Sequence, residues 1–567
     1  MSPSRVARKS TLPQWLRIAL QIGLIGGVVV VIIALEGMIQ AFNTRDIIGS
    51  VVTMSQALLL IVFLGSAYIA ILRGQPTSFI PTLFAASLVG LIASAFLVAL
   101  IWLGQALNLG NMFISATQDL YNLLTFKIES RVVGSLVLLV FGGVSGAVAA
   151  IIHALPARWR RSVIWGLVAV FAFGLLRDLI VTTFSGLTFL TRFFFLPNGL
   201  SIPGAAVLFV IFVALDFFWS QRGSQVRHGI GARKPVRRGL LIVGGIVLLL
   251  LPQILGLYFS EVLDNVGLYL IMGLGLNIVV GFAGLLDLGY VAFFALGAYT
   301  VGVLTSPDFG HTSILTSWWF ALPFGVIVAF LAGTFLGIPV LKMRGDYLAI
   351  VTLGFGEIIR LLALSDALKP FIGGAQGVND ILKPTVGPVQ ISTPPEFYYL
   401  ILAGCLLVAF VAIRVKDSRL GRAWMAMRED EDVAQAMGIN LVSTKLMAFA
   451  LGASFGGLSG AIFGSKLASI YPQSFNFFVS INVLSLIIIG GMGSIPGVVI
   501  GALALVGLPE MLREFSDYRY LFYGLALVVM MLTRPEGLIP AATVKRELHE
   551  DEPPVERIGE PIVAATK

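Results

Sequence analysis

Charged residues are scarce in this 567-residue chain. Asp, Glu, Lys and Arg together make up 12% of it, whereas 57% of the residues are hydrophobic. Soluble globular domains carry about 25% charged residues, so the composition excludes a soluble protein. Apolar runs such as residues 18–35 are long enough to cross a bilayer core about 30 Å thick. The sequence therefore predicts an all-α polytopic membrane protein.

The groups that enzymes and metal sites need are also scarce. Cys405 is the only cysteine, which excludes an internal disulfide, and no histidine lies at a matching depth on a neighbouring predicted span to activate it. The four histidines are scattered, without metal-ligand spacing. No Gly-x-x-x-x-Gly-Lys-Ser/Thr phosphate loop occurs in the chain. We predict no catalytic residue, no metal site and no bound cofactor.

Apolar runs predict about sixteen transmembrane or re-entrant helices. Cytoplasmic loops of membrane proteins are enriched in Lys and Arg. Placing the N-terminus inside puts every strong basic cluster inside as well, including residues 227–238 and 414–445, and puts loops 365–396 and 465–476 outside. We therefore predict that both termini are cytoplasmic. The basic residues orient the loops in this interpretation, so nucleic-acid binding is not expected.

A polar, basic segment at residues 220–238 divides the chain. Residues 1–230 are predicted to form an amino-terminal membrane module of about six spans, whose function the sequence does not indicate. Residues 231–540 are predicted to form a second module of about ten spans. Residues 541–567 are charged and contain prolines, which predicts a disordered cytoplasmic tail.

A run of charged residues at 428–432 stands out between long apolar stretches. Apolar residues flank it at steps of three and four, which predicts one short amphipathic helix over residues 421–438. These apolar residues are Ala423, Trp424, Met427, Ala434 and Met437. Gly438 is the predicted C-terminal stop. The helix is either a solvated connector or a docking element, and its basic-then-acidic charge order favours docking.

Polar residues inside spans mark a pathway or a buried pair. Asn277 and Glu357 are the clearest cases in the second module, although Arg360 could form an i,i+3 ion pair with Glu357. Asp287 is expected near a cytoplasmic span end, where its carboxylate can reach water.

Glycine-rich breaks can expose backbone groups beside a water-filled cavity, where they could meet a zwitterionic substrate. With Asn277 and Glu357, they complete our set of candidate translocation-pathway residues: Gly373, Gly374, Gly490 and Gly491. A role in turns or packing is the alternative for each glycine taken singly.

Five stretches of the second module resemble, in order, the M-type permease subunit of branched-chain amino-acid ABC importers and the related urea permeases. These stretches are residues 275–300, 344–362, 373–381, 426–440 and 487–502. The resemblance covers roughly residues 240–540, and residues 1–230 resemble nothing comparable.

The resemblance implies a permease subunit in the cytoplasmic (inner) membrane of a bacterium, with branched-chain amino acids as substrates. It also implies a second permease subunit, two ATP-binding subunits that consume the ATP, and an extracytoplasmic substrate-binding protein. The family's coupling loop, which docks on the ATP-binding subunit, would correspond to Arg428, Glu431, Asp432, Ala434 and Gly438. A urea or short-amide permease is the nearest alternative, and a self-sufficient secondary transporter is a more distant one.

Overall fold

Helices form nearly all of the regular structure. The computed structural model describes residues 13–49, 51–107, 109–183, 188–232, 234–309, 317–341, 343, 345–511, 518–534 and 536–540. The chain divides into two units, Met1–Leu241 and Ile242–Lys567. The division of the chain into modules at residues 230 and 231 stays a prediction, and the predicted tail 541–567 lies outside the described residues.

The first unit consists of long helices joined by short turns and strands. In chain order its elements are α1 (Gln14–Leu35), α2 (Met38–Ala41), β1 (Asp46–Ile48), β2 (Val52–Thr53), α3 (Met54–Gly74), α4 (Phe79–Ala106), α5 (Gln118–Leu124), α6 (Arg131–Ala154), α7 (Ala157–Leu175), α8 (Arg177–Thr183), α9 (Thr188–Phe194), β3 (Phe195–Leu196), β4 (Gly199–Leu200) and α10 (Ile202–Ala232).

Local sequence explains how the first unit is joined. The side chains of Thr53 and Gln56 form a capping box at the start of α3, since each accepts a hydrogen bond from the other residue's backbone N–H. The four strands form one sheet in the order β2-β1-β4-β3, in which β1 and β4 are parallel and Ile48 pairs with Leu200. The sheet thus connects the chain before α3 with the chain before α10.

The second unit begins within α11 and contains the remaining helices. Its elements are α11 (Lys234–Leu276), a π-helix (Asn277–Phe282), α12 (Val291–Thr305), α13 (Trp318–Val340), α14 (Asp346–Leu364), α15 (Lys369–Ile372), β5 (Thr385–Val386), β6 (Val389–Gln390), α16 (Pro394–Lys416), α17 (Arg419–Glu429), α18 (Glu431–Ala436), α19 (Leu441–Leu467), α20 (Phe477–Gly490), α21 (Ile495–Ala502), a second π-helix (Leu503–Gly507), α22 (Leu508–Met511) and α23 (Arg519–Thr533).

Many of these helices have the length and composition of membrane spans. Within the described residues, nine are long and apolar enough to cross a bilayer, and four apolar helices are shorter. The longest candidate, Val243–Phe282, is interrupted at Gly256, whose φ of +77° is readily adopted only by glycine. An all-α polytopic membrane protein is confirmed, whereas the count of about sixteen and the cytoplasmic position of both termini stay predictions.

Helix α19 forms the core of the second unit. It is the most buried of the nine candidate spans, since 72% of the residues in its most apolar stretch are buried. It packs against α12 and α13. Its glycines allow close backbone contact, since a Cβ atom at Gly460 would collide with the carbonyl oxygen of Phe294. Because lipid tails are as apolar as leucine, such close packing is a main source of helix association in membranes.

We expect Gly460→Leu to lower the free energy of unfolding by about 3 kcal/mol, because the new side chain would push α12 away from α19. Thermal unfolding of the detergent-solubilised protein would measure the loss. Gly245→Leu is the matched control, because no heavy atom lies within 4 Å of a Cβ at that position. Equal melting temperatures of the two variants would contradict this account of the core.

Candidate functional site

The charged segment, residues 419–438, is two helices and not the single predicted one. Helix α17 ends at Glu429, and Asp430 has extended backbone angles (φ −157°, ψ 115°). The Asp430 Oδ1 atom accepts hydrogen bonds from the backbone N–H groups of Asp432 (2.8 Å) and Val433 (3.0 Å). An aspartate in this position is a strong N-cap, so it starts α18 in a new direction. We call residues 419–438 the coupling segment.

One face of the coupling segment is buried in the second unit. Trp424 is fully buried and its Nε1–H donates to the backbone carbonyl of Thr444 at 2.8 Å, while Met427 and Ala434 are also buried. The predicted apolar face is therefore correct for these three residues. It is wrong for Met437, which is 79% exposed because α18 follows a different direction from α17.

Gly438 ends α18, as its position in the sequence predicts. Its φ is +87°, its N–H donates to the carbonyl of Gln435 at 3.0 Å, and the N–H of Ile439 donates to that of Ala434 at 3.1 Å. This pair of bonds is a Schellman motif, which requires a left-handed residue just after the helix.

Glu431 faces the protein interior. Its carboxylate accepts a hydrogen bond from Lys445 Nζ at 2.9 Å, and the Lys445 side chain, in the first turns of α19, is 2% exposed. A buried ammonium is costly without a carboxylate partner. Glu431 therefore holds α18 against α19, whereas Asp432 on the same short helix is exposed.

Arg428 connects the coupling segment to a broken helix. Its Nη1 donates to the carbonyl of Gly281 at 2.6 Å, inside the π-helix that follows α11. One turn earlier, Asn277 Oδ1 accepts the N–H of Gly493 at 2.8 Å, and a Cβ atom at Gly281 would lie 2.6 Å from that nitrogen. We call Arg428, Gly281, Asn277 and Gly493 the helix-break cluster.

Gly490 and Gly491 lie at the break between α20 and α21, next to the helix-break cluster. Gly491 has a φ of +117°, which favours glycine. The carbonyls of Ile489 and Gly490 accept hydrogen bonds from the N–H groups of Leu538 and Ile539, both at 2.9 Å. The freed backbone groups at this break are thus bonded to protein, as the membrane interior demands.

Gly373 and Gly374 are not part of this cluster. They adopt positive φ angles at the end of α15, and the chain just after them forms a β-bridge between Val378 and Ile470. A Cβ atom at Gly373 would collide with the carbonyl oxygen of Gly377. Here glycine serves a tight turn that joins the loop after α14 to the end of α19.

Glu357 lies apart from both groups, near the middle of the candidate span Tyr347–Leu364. It forms the ion pair with Arg360 that its i,i+3 spacing allows, and the Arg360 Nε atom is 2.9 Å from Glu357 Oε2. Its side chain is 44% exposed and lines a cavity of about 180 Å³.

Several residues at the site were not predicted from the sequence. Lys445 and Lys466 lie near opposite ends of α19, and Lys466 Nζ contacts Glu261 Oε1 at 3.0 Å and Asp264 Oδ2 at 3.4 Å. The sequence signal that could have indicated both residues is a lysine near each end of an otherwise apolar helix. The expectation for Asp287 was wrong, because it is fully buried and its Oδ1 accepts the N–H of Gly289 at 2.9 Å.

The site offers no arrangement for nucleophilic catalysis among the described residues. A Gly-x-Ser-x-Gly spacing does occur at residues 452–456, but it lies inside α19, and Ser454 Oγ donates to the carbonyl of Ala450 at 2.8 Å. The hydrolase motif of that spacing needs a strand, a sharp turn and a helix. In the same described ranges, no group of three His, Cys, Asp or Glu side chains could hold a metal ion.

We expect Glu431→Leu to destabilise the protein by about 3 kcal/mol, because it leaves the Lys445 ammonium buried without its carboxylate. The double variant Glu431→Leu/Lys445→Met should recover most of that loss, since both partners are then apolar. Denaturation in detergent would measure both values. A double variant no more stable than the single one would show that the pair does not hold α18.

Comparison with known proteins identifies the family to which the second unit is similar. Residues 258–533 match the family described as branched-chain amino acid transport system, permease component. The chain is 41% identical over 296 residues to the high-affinity branched-chain amino acid transport system permease protein LivM of Salmonella typhimurium, covering 48% of this chain and 68% of the relative, with the same values for the LivM protein of Escherichia coli.

A more distant relative matches a similar share of the chain. The LivH permease protein of Escherichia coli, of a high-affinity branched-chain amino acid transport system, is 24% identical over 300 residues, covering 49% of this chain and 93% of the relative. No solved structure matches the chain. The chain is a multi-pass protein of the cytoplasmic membrane, and it belongs to the permease-component family of branched-chain amino acid transport systems.

Proposed function

We propose that this permease forms the translocation pathway of an ATP-driven importer for branched-chain amino acids. It works with a second permease subunit, two ATP-binding subunits and an extracytoplasmic substrate-binding protein. It binds no cofactor and performs no catalysis itself, and the ATP is hydrolysed by the ATP-binding subunits. The names of the relatives LivM and LivH support the substrate class and the second permease.

The observation that carries this proposal is the two-sided coupling segment. Its buried face is bonded to the spans through Trp424, Arg428 and Glu431. Its opposite face exposes apolar side chains between charged ones, with Val433 58% and Met437 79% exposed. Exposed apolar residues rimmed by polar ones mark interaction sites. A partner that grips this face can therefore move the spans.

The helix-break cluster connects the coupling segment to the spans that would move. Force on α17 reaches the π-helix through the bond between Arg428 and Gly281, and it reaches the break between α20 and α21 through Asn277 and Gly493. π-helical segments and broken helices are deformable points in otherwise stiff elements. We infer that closure of the ATP-binding subunits reorients α11 and α20 here, so that the pathway opens alternately to the two sides.

The proposed residue roles follow from their positions. Arg428, Glu431 and Ala434 position the coupling segment from its buried face, and Asp432 and Gly438 lie at the surface offered to the ATP-binding subunit. Asn277, Gly490 and Gly491 form the moving break. Gly373 and Gly374 shape the loop at the other end of α19.

The proposal predicts that Val433→Lys/Met437→Lys abolishes ATP-dependent leucine uptake by the complete transporter in proteoliposomes, with at least a tenfold loss, because two charges replace the apolar contact. Co-purification of the ATP-binding subunits should fall in parallel. Both side chains point outward, so the melting temperature of the isolated chain should not change.

Val389→Lys is the matched control, because Val389 is 57% exposed on β6, in the loop predicted to lie outside. The control should retain both uptake and the ATP-binding subunits. Normal uptake by the double variant, or equal losses in variant and control, would refute coupling through this segment.

A further inference from the structure

A small apolar cavity lies beside the ion pair in α14. It has a volume of about 180 Å³, and its apolar walls come from four parts of the second unit. The apolar lining residues are Leu288, Val291, Leu353, Phe475 and Phe477. A cavity of ~150 Å³ lined by similar residues binds benzene, so this cavity can hold one branched aliphatic side chain.

The walls of the cavity are fixed by hydrogen bonds. The N–H of Leu288 donates to Thr352 Oγ1 and the N–H of Val291 donates to Ser480 Oγ, both at 2.9 Å. These bonds tie the start of α12 to α14 and α20. The cavity is therefore preformed, which reduces the ordering cost of binding.

The charged pair lies on the same face of α14 as Leu353, which lines the cavity, and Glu357 itself is one of the lining residues. Leu353, Glu357 and Arg360 follow one another at four and three residues, so they lie along one face of α14. The side chains of Glu357 and Arg360 are 44% and 26% exposed. Charged residues inside a span are rare and mark by default a pathway or a pair that faces protein, which favours a position of this face beside the pathway.

The pair has capacity for a further ligand. Arg360 donates to Glu357 through Nε and Nη2. A guanidinium has more N–H donors than these contacts use, and a carboxylate has further lone pairs. A ligand that carries one positive and one negative group can therefore lie alongside the pair, with its positive group next to Glu357 and its negative group next to Arg360.

We propose that Glu357, Arg360 and the cavity together bind a zwitterionic α-amino acid, a site that rests on the proposed transport function. The ammonium contacts Glu357, the carboxylate contacts Arg360, and the branched side chain fills the cavity. The site selects against polar solutes such as urea, which leave the apolar cavity unfilled. It holds the substrate weakly, because Glu357 and Arg360 already form hydrogen bonds with each other.

Changes in cavity size test the side-chain subsite in the complete transporter, reconstituted in liposomes with radiolabelled leucine, alanine and phenylalanine. Leu353→Phe should lower leucine uptake more than tenfold and alanine uptake less than threefold, because only the larger side chain loses its space. Leu353→Ala should raise phenylalanine uptake relative to leucine uptake at least fivefold. Ile358→Phe is the control on the same helix, since Ile358 is 55% exposed and does not line the cavity.

The charge-reversal variant Glu357→Arg/Arg360→Glu tests the zwitterion subsite. It can still form an intrahelical ion pair, so the chain should fold and co-purify with its ATP-binding subunits. Leucine uptake should fall more than tenfold, because the cavity fixes the direction in which the substrate lies. Leucine uptake within twofold of the unmodified transporter, or equal losses for leucine and alanine in Leu353→Phe, would overturn the site.

Failure of the proposed function would look different. An unmodified transporter that imports urea, or that imports no leucine when ATP is supplied, would refute the transport proposal before any variant is compared. If only the site proposal fails, the unmodified transporter still imports leucine, and the three site variants import it equally well.

Discussion

The hydrogen bond between Arg428 and the carbonyl of Gly281 is the contact on which the proposed coupling through the second unit depends. It joins the coupling segment, one face of which is exposed, to the π-helix that follows α11. The carbonyl of Gly281 is available because the regular helical pattern is lost there. Trp424 and Glu431 tie the coupling segment to α19 instead, through the carbonyl of Thr444 and the ammonium of Lys445.

Burial divides the coupling segment into two kinds of residue. The buried residues fix its position, because a buried ammonium at Lys445 and a buried indole at Trp424 both have their hydrogen-bonding partners there. The exposed apolar residues at Val433 and Met437 have no comparable role within the fold. Substitutions on the exposed face therefore leave the buried anchoring contacts intact.

The sequence predicts the spans and the helix stop at Gly438 because hydropathy and local backbone chemistry determine them. It predicts the Glu357–Arg360 pair because both residues lie on one helix turn. It misses the bend at Asp430, where a capping side chain competes with helix continuation, and it misses Lys445, whose partner is set by tertiary packing. The cavity beside Glu357 is also beyond the sequence, since its walls come from segments far apart in the chain.

Helix α19 is tied at both ends by buried lysines, Lys445 to Glu431 and Lys466 to Glu261 and Asp264. Between these ties, the backbone of α19 lies close to that of α12, as at Gly460 and Phe294. In the proposed transport cycle, a tilt imposed at the Lys445 end of α19 would therefore also move the elements tied to its Lys466 end, without a separate signal.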